Sequence, residues 1–296
     1  MRYSIKKLWK NIGFLLKYNL KEREEDLKID ILDAIEGIYL YELKDYEKNL
    51  RKLNVLDSRD TLALLSNNPK SFCRFGDGEV ELMKGNDIQF QKYDARLADI
   101  LLEILKNNDD NLYVGLTHGY FTPISRKSSD FVRRWSRLYI SGYRDFFVNH
   151  CNLERTYIDA AFNQVLNSES RERLDSYYNE IKKMFSGRDL VIFVGEGVLD
   201  KLKYDVFELA NSKEFVYGPS KNSFEQFDFL LKKALTYPKD KTLIFILGPC
   251  SKALCYYLSK EGRMAWDLGH LAKAYDFHMS GKETTSENIA LFYRAD

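Results

Sequence analysis

Two carboxylates that stand close together between glycines are the residues most suited to chemistry in this chain. Asp77 and Glu79 lie two residues apart, and Gly76 and Gly78 flank the aspartate. Glycine permits a positive φ and lets a ligand approach the backbone. Carboxylates on such a turn can share one Mg²⁺ or Mn²⁺ ion, which also bridges phosphate oxygens. The same pattern is typical of a plain turn in which an acidic residue begins a helix, so both interpretations stand.

The elements around this turn predict how it is positioned. Apolar runs of strand length alternate with amphipathic helical periods along most of the chain. Strands are predicted at residues 71–75, 112–116, 189–194, 214–217, 242–247 and 263–266. Helices are predicted at residues 58–65, 95–106, 168–185 and 224–235, with a further one that ends at 260. This alternation indicates an α/β fold, in which helices cover both faces of a mostly parallel sheet.

The predicted strands end in turns that are rich in glycine and polar residues. Ligands bind outside the carboxyl ends of the strands in such sheets, so these turns predict the pieces of one cleft. Besides the two carboxylates and their flanking glycines, the candidates are Arg74, His118, Glu196, Lys221, Asn222, Gly248, Ser251, Lys252, Asp267 and His270.

Two of these turns have the composition of anion sites. Gly248 and Ser251 stand where a strand meets a helix N-terminus, whose amide groups attract phosphate. Lys221 and Asn222 suit a ligand phosphate or hydroxyl. An ordinary turn explains the first pair equally well, and Asn222 as a helix N-cap explains the second. His118 is either a polar cleft residue or a structural one.

Composition and missing motifs exclude several classes of protein. The chain of 296 residues has a net charge of +1, which gives no field for nucleic acid. Its four cysteines form no CxxC pair, as expected for reduced thiols in a cytoplasmic protein. Neither a GxxxxGK[ST] nor a GxGxxG motif follows any predicted strand. The longest apolar runs have strand length, so no membrane span is predicted.

The N-terminal part predicts a helical extension, residues 1–60, before a catalytic domain at 61–296. Residues 1–20 combine five basic residues with interleaved apolar ones and contain no acid. That pattern fits a helix on the inner face of the plasma membrane, and it equally fits a helix packed on its own domain or on a partner subunit. Residues 21–54 show helical periodicity and suit a contact in a homo-oligomer.

An ordered set of motifs resembles the GT-D-type glycosyltransferases of bacteria. The motifs follow one another from about residue 71 to 277, and none is strong alone. They are Arg74-Phe75-Gly76-Asp77-Gly78-Glu79, Gln91-Lys92-Tyr93-Asp94, Gly218-Pro219-Ser220-Lys221-Asn222-Ser223-Phe224, Leu247-Gly248-Pro249 and Asp267-Leu268-Gly269-His270. Phe75 stands where tyrosine is commoner in the family.

The resemblance implies a Rossmann-like sheet and transfer of a sugar from a nucleotide-sugar, with UDP as the expected nucleotide. The acceptor it implies is a surface glycan, glycolipid or glycoprotein. It matches Asp77 and Glu79 to an Asp-x-Glu motif that is associated with a divalent metal. A cation there would neutralise the leaving diphosphate. Arg74 is expected to contact the diphosphate or to be a structural partner.

The base that activates the acceptor hydroxyl and the reaction class both stay open. Glu196, Asp267 and His270 are the candidates for the base. A metal-dependent phosphohydrolase or a methyltransferase on a Rossmann-like sheet is the alternative enzyme. A non-catalytic scaffold subunit at the membrane is the alternative without chemistry, and it predicts no nucleotide binding.

Overall fold

A computed structural model describes Ile31 and residues 52–106, 108–122, 140–164 and 171–282. The chain divides into two units, one formed by Met1–Lys48 with Ile124–Ser141 and the other by Asn49–Pro123 with Gly142–Asp296. The second unit contains the sheet that is described below. The predictions of membrane contact by residues 1–20 and of an oligomer contact by 21–54 fall almost wholly outside the described residues.

The second unit is built on an eight-stranded sheet in which every neighbouring pair is parallel. The strand order is β1-β4-β3-β2-β8-β7-β5-β6. The strands are β1 (Asn54–Val55), β2 (Ser71–Phe75), β3 (Leu112–Leu116), β4 (Thr156–Asp159), β5 (Asp189–Gly195), β6 (Ser212–Gly218), β7 (Thr242–Ile246) and β8 (Met264–Asp267). The α/β class and the parallel sheet are therefore confirmed.

Six of these strands match the predicted ones closely. Five of the six lie inside the sheet, where burial on both faces gives continuous apolar runs. All five residues of β7 are buried, as are the last six of β5. The edge strand β6 is largely exposed. Strands β1 and β4, which have two and four residues, were not predicted.

The described part of the chain contains eight α-helices, and those that pack on the centre of the sheet form two groups. They are α1 (Ser58–Asn67), α2 (Asp77–Met83), α3 (Ala95–Lys106), α4 (Ser141–His150), α5 (Arg171–Lys183), α6 (Phe227–Leu235), α7 (Cys250–Lys260) and α8 (Leu271–Met279). Buried side chains of α1, α5 and α8 share one hydrophobic cluster with the sheet. Helix α7 packs on β2 and β8 beside α3 and α6, and none of its side chains belongs to that cluster. Within these ranges, every helix is too short or too polar to cross a bilayer.

A gap lies at the carboxyl end of β8, between the connections that follow β8 and β7. The segment after β8 leads to α8 in the first group, whereas β7 leads to α7 in the second. Adjacent strands whose connections leave toward opposite faces leave a crevice outside their carboxyl ends, where open α/β sheets bind ligands. The predicted cleft therefore has its centre at the ends of β2, β8 and β7.

Candidate active site

A buried arginine joins β2 to β8 at this gap. The backbone N–H of Arg74 donates to Oδ2 of Asp267 at 3.1 Å, and its Nε donates to the Asp267 carbonyl oxygen at 2.9 Å. Its Nη1 donates to the Ala160 carbonyl and to Oδ1 of Asn163, at 2.9 and 2.8 Å. Arg74 thereby ties two strands to the turn after β4. Of its two expected roles, these contacts are those of a structural partner.

Lys252, in the first turn of α7, connects two carboxylates from different strand ends. Its Nζ lies 2.9 Å from Oε1 of Glu79 and 3.3 Å from Oδ2 of Asp267. It also donates to the Gly248 carbonyl oxygen at 3.3 Å. Burial by itself lowers the pKa of Lys252, but Asp267 and then Glu79 outweigh it, so the net shift is upward. The side chain therefore remains a buried cation.

Arg74, Glu79, Lys252 and Asp267 form what we call the strand-end network. All four are buried, and Asp267 is fully so. Two cations balance two anions, which is the condition under which charges are tolerated inside a protein. Glu79 has both oxygens engaged, because Oε2 accepts the Gly76 N–H at 2.9 Å while Oε1 meets Lys252.

Asp77 differs from Glu79 in its surroundings. It begins α2 and is exposed by accessible area, yet protein atoms surround its carboxyl group closely enough to reduce solvation. This loss of solvation raises the pKa of Asp77, and the charge of Glu79 raises it further. The neighbouring Gly78 is constrained, since a Cβ there would lie 3.2 Å from Cδ1 of Ile88. Asp77 is thus the accessible member of the predicted pair.

The turn after β8 brings His270 beside the network. Gly269 has a φ of +45°, and a Cβ at this position would lie 1.9 Å from Nη2 of Arg74. His270 follows at the start of α8, and its ring centroid is 5.9 Å from that of Phe90. Burial, followed by the charge of Arg74, lowers the pKa of His270 to about 4. The imidazole is therefore neutral at neutral pH.

Gly248 and Ser251 shape the turn between β7 and α7. Gly248 has a φ of +56°, which favours glycine. The Ser251 hydroxyl accepts the Leu247 N–H at 3.0 Å, so it closes the turn from within. The structure places this turn against the network through Lys252, which was predicted to belong to the cleft as part of the same turn, either as a phosphate-binding turn or as an ordinary one.

Asn222 holds a neighbouring loop. Its backbone N–H donates to the Phe90 carbonyl oxygen and its Oδ1 accepts the Lys92 N–H, both at 2.8 Å. It occupies the position before a short 3-10 helix, Ser223–Gln226, but its side chain makes no capping bond there. Lys221 is exposed.

Two predicted cleft residues lie away from the network. Nδ1 of His118 is 2.9 Å from the Val55 carbonyl oxygen, and its backbone N–H donates to Asp159, so it links β3 to β1 and β4. Glu196 follows β5 and is exposed, and its N–H donates to the Gly218 carbonyl oxygen. Because β7 lies between β5 and β8 in the sheet, Glu196 is one strand removed from Asp267.

The contacts that were not predicted are those that depend on which residues face each other in the folded chain. Oδ1 of Asn163 accepts a hydrogen bond from Nη1 of Arg74, and its Nδ2 donates to the Leu268 carbonyl oxygen at 2.6 Å. Gln91 is buried and accepts the Phe224 N–H at 3.2 Å. Lys252 was predicted to line the cleft, but its pairing with Glu79 and Asp267 was not predicted. No signal in the sequence indicated Asn163.

Comparison with protein families gives one match over most of the chain. The family model described as Glycosyltransferase GT-D fold matches residues 72–289. The chain is 28% identical over 247 residues to "Glycosyltransferase GlyD" of Streptococcus pneumoniae, and 26% identical over 259 residues to "Probable glycosyl transferase Gly" of Streptococcus gordonii. These matches cover 80% and 85% of this chain but 29% and 36% of the relatives. The chain thus spans about a third of their length.

Solved structures share the same architecture. One, described as "The highly conserved domain of unknown function 1792 has a distinct glycosyltransferase fold", has a TM-score of 0.73 and 29% identity, covering 80% of this chain and 85% of that chain. A second, described as a new glycosyltransferase from Streptococcus sanguinis, has a TM-score of 0.71 and 26% identity, covering 82% and 93%. The similarity covers most of this chain and of each solved chain, so the fold described above has known examples.

Proposed function

The chain belongs to the glycosyltransferases of the GT-D fold, and from that premise we propose that it transfers a sugar from a UDP-sugar to a bacterial surface glycan, glycolipid or glycoprotein. The observation that supports the donor site is the strand-end network, with Asp77 exposed beside it. It lies at the gap where sheets of this class bind ligands. A buried, charge-balanced frame fixes the position of an exposed carboxylate.

The proposed reaction puts its largest electrostatic demand on the leaving group. The acceptor hydroxyl oxygen bonds to the anomeric carbon of the sugar and gives its proton to a base. The bond from that carbon to the diphosphate breaks, and negative charge develops on the diphosphate oxygens. Preorganised positive charge stabilises that change because the protein does not reorganise during the step. A divalent cation, when bound, supplies Lewis-acid stabilisation of the diphosphate.

The described residues suit a cation that binds together with the donor. They contain no group of three His, Cys, Asp or Glu side chains that could hold a metal ion. Glu79 is engaged by Lys252 and Gly76, which leaves Asp77 as the accessible carboxylate. Mg²⁺ is commonly held by one or two carboxylates together with substrate phosphates, and we extend that mode to Mn²⁺ here. We therefore assign Asp77 to direct contact and Glu79 to fixing the first turn of α2.

The three base candidates differ in their availability. Asp267 is fully buried and held by Arg74 and Lys252, so it is poorly suited to exchange a proton with an acceptor. His270 is neutral at neutral pH and lies beside the network, while Glu196 is exposed at the end of β5. The proposal retains His270 and Glu196, and single substitutions of each, assayed for turnover, distinguish them.

The proposed site of action rests on the N-terminal residues of the chain. We assign transfer to the cytoplasmic side, at the inner face of the plasma membrane, on the basis of the basic and apolar residues at 1–20. Co-sedimentation with anionic vesicles tests this. Equal binding by the full chain and by one that lacks residues 1–20 would contradict it.

A nucleotide screen tests the proposed function. Ligands that bind only the native state raise the unfolding temperature by mass action, so UDP and UDP-sugars with Mn²⁺ should raise it. Asp77→Asn should remove turnover with the donor that the screen identifies. Stabilisation by S-adenosylmethionine instead of UDP, or donor-free release of phosphate, would favour the alternative enzymes. Stabilisation by no nucleotide would favour the scaffold.

A further inference from the structure

Residues 86–93, which we call the strap, lie against the carboxyl ends of three strands. Cδ1 of Ile88 is 3.2 Å from the Cβ position of Gly78, just after β2. Cβ of Phe90 is 3.9 Å from the Cβ position of Gly248, just after β7. The Phe90 ring also lies against the ring of His270, just after β8, with the two planes 57° apart. The strap thus borders the gap on one side.

The strap is held in one conformation by its own hydrogen bonds. The Ile88 N–H donates to the Gln91 carbonyl oxygen at 2.9 Å, and the Tyr93 N–H donates to Oδ1 of Asp87 at 2.7 Å. At its start, Nδ2 of Asn86 donates to Glu81 at 2.7 Å. A loop closed in this way presents its side chains in fixed positions.

Asn222 fixes the strap from outside, at the peptide groups on either side of Gln91. Its N–H and its Oδ1 contact Phe90 and Lys92, as described above. Asn222 has a φ of +53°, and it is the one non-glycine residue with a positive φ in the described part of the chain. Asparagine tolerates this conformation at a cost, and such costs concentrate at functional sites.

We propose that Phe90 and His270 form the subsite for the nucleobase of the donor, and that Asn222 is a positioning residue that holds Phe90 there. The inference rests on the proposed function. Two aromatic rings set at an angle, one neighbouring the turn at Gly248, offer an apolar surface to a planar base. Aromatic side chains stack on bases in complexes with single-stranded nucleic acids, because every base has a π-face. The side chain of Phe90 is half-buried, so part of its ring is accessible to a base.

Calorimetric titration with two ligands separates the base from the diphosphate. Native protein, Phe90→Ala and Phe90→Tyr are titrated with UDP and with inorganic diphosphate, each with Mn²⁺. Phe90→Ala should weaken UDP binding about tenfold, which corresponds to about 1.4 kcal/mol, and leave inorganic diphosphate unchanged. Phe90→Tyr should bind UDP as the native chain does. If Phe90→Ala fails to fold, Phe90→Leu replaces it, with the same expected direction.

The role of Asn222 is tested by two substitutions that can both adopt its positive φ. Asn222→Gly permits the positive φ but loses the Oδ1 contact with Lys92, whereas Asn222→Asp retains an acceptor. Asn222→Gly should weaken UDP binding by a smaller factor than Phe90→Ala, with inorganic diphosphate unchanged and Asn222→Asp near native. Equal loss of both ligands would show a general structural role and overturn the assignment.

The outcomes also separate this inference from the function on which it rests. If the native protein and Phe90→Ala bind UDP equally well, the proposed subsite is wrong and the proposed function still holds. Native protein that binds neither UDP nor any other nucleotide overturns both.

Discussion

Nζ of Lys252 lies 2.9 Å from Oε1 of Glu79, so the first turn of α7 is joined to the first turn of α2 by a buried ion pair. These helices follow β7 and β2, which are separated in the sheet by β8. Asp267 at the end of β8 lies 3.3 Å from the same ammonium group. One cation therefore fixes the relative positions of three strand ends.

Removal of this cation should destabilise the fold. Lys252→Met keeps much of the side chain's volume but leaves Glu79 and Asp267 buried without their shared partner. Breaking a buried pair from one side costs about 3–5 kcal/mol, which we expect as the loss in the free energy of unfolding. Urea unfolding, followed by circular dichroism, measures it.

Lys260→Met is the matched control at the other end of the same helix. Lys260 pairs with Glu103 at 3.4 Å, and 42% of its side chain is exposed. An exposed pair of this kind contributes at most about 1 kcal/mol. Equal losses for the two variants would contradict the role given to Lys252.

The sequence predicted the central strands because their burial leaves continuous apolar runs. It missed β4 (Thr156–Asp159), whose apolar content is only Tyr157 and Ile158 between polar residues. It also missed β1, which pairs through two residues with β4. Strands this short are specified by their neighbours in the sheet, and a local pattern cannot show those neighbours.

The site was predictable as a set of turns but not as a set of contacts. Residue types at strand ends identified Asp77, Glu79 and Asp267, because the carboxyl ends of parallel strands lie at one edge. The pairing through Lys252 depends on the order β2-β8-β7, in which sequence-distant strands are neighbours. Asn222 was predicted either to contact ligand or to cap a helix, and the sequence pattern gave no sign of its contacts with Phe90 and Lys92, about 130 residues earlier.

Asp77→Asn should remove turnover without lowering stability at neutral pH. Burial, and then Glu79, raises the pKa of Asp77, so its ionised form is less favourable in the folded chain than in the unfolded one. Asparagine removes that charge. We expect an unfolding temperature at pH 7 equal to or above that of the native chain. Glu261→Gln, a change at an exposed residue just after α7, should retain turnover. A clear fall in the unfolding temperature of Asp77→Asn would contradict the prediction.

His270 should make the fold less stable in mild acid. Its pKa falls from an ordinary value near 6.5 to about 4 in the folded chain. Between these values the unfolded chain binds a proton that the folded chain does not. The free energy of unfolding therefore decreases as the pH falls from about 6.5 to about 4, and this contribution levels off below that range. His270→Gln should show a shallower dependence in urea titrations at several pH values. An unchanged slope would contradict the assignment.

Gly269→Ala should be far more damaging than the same change at a second glycine with a similar backbone. Gly262 has a φ of +68°, but its Cβ position is 3.9 Å from the nearest atom, Nζ of Lys239. Alanine there lowers the free energy of unfolding only through the left-handed backbone conformation, by about 1–2 kcal/mol. At Gly269 the added Cβ would also displace Arg74, whose Nη2 is 1.9 Å away. Because Arg74 is the hydrogen-bonded link between β2 and β8, the loss in the free energy of unfolding should exceed that of Gly262→Ala by at least about 2 kcal/mol. Chemical unfolding of the two variants side by side measures the difference, and equal losses would mean that Arg74 has room to move.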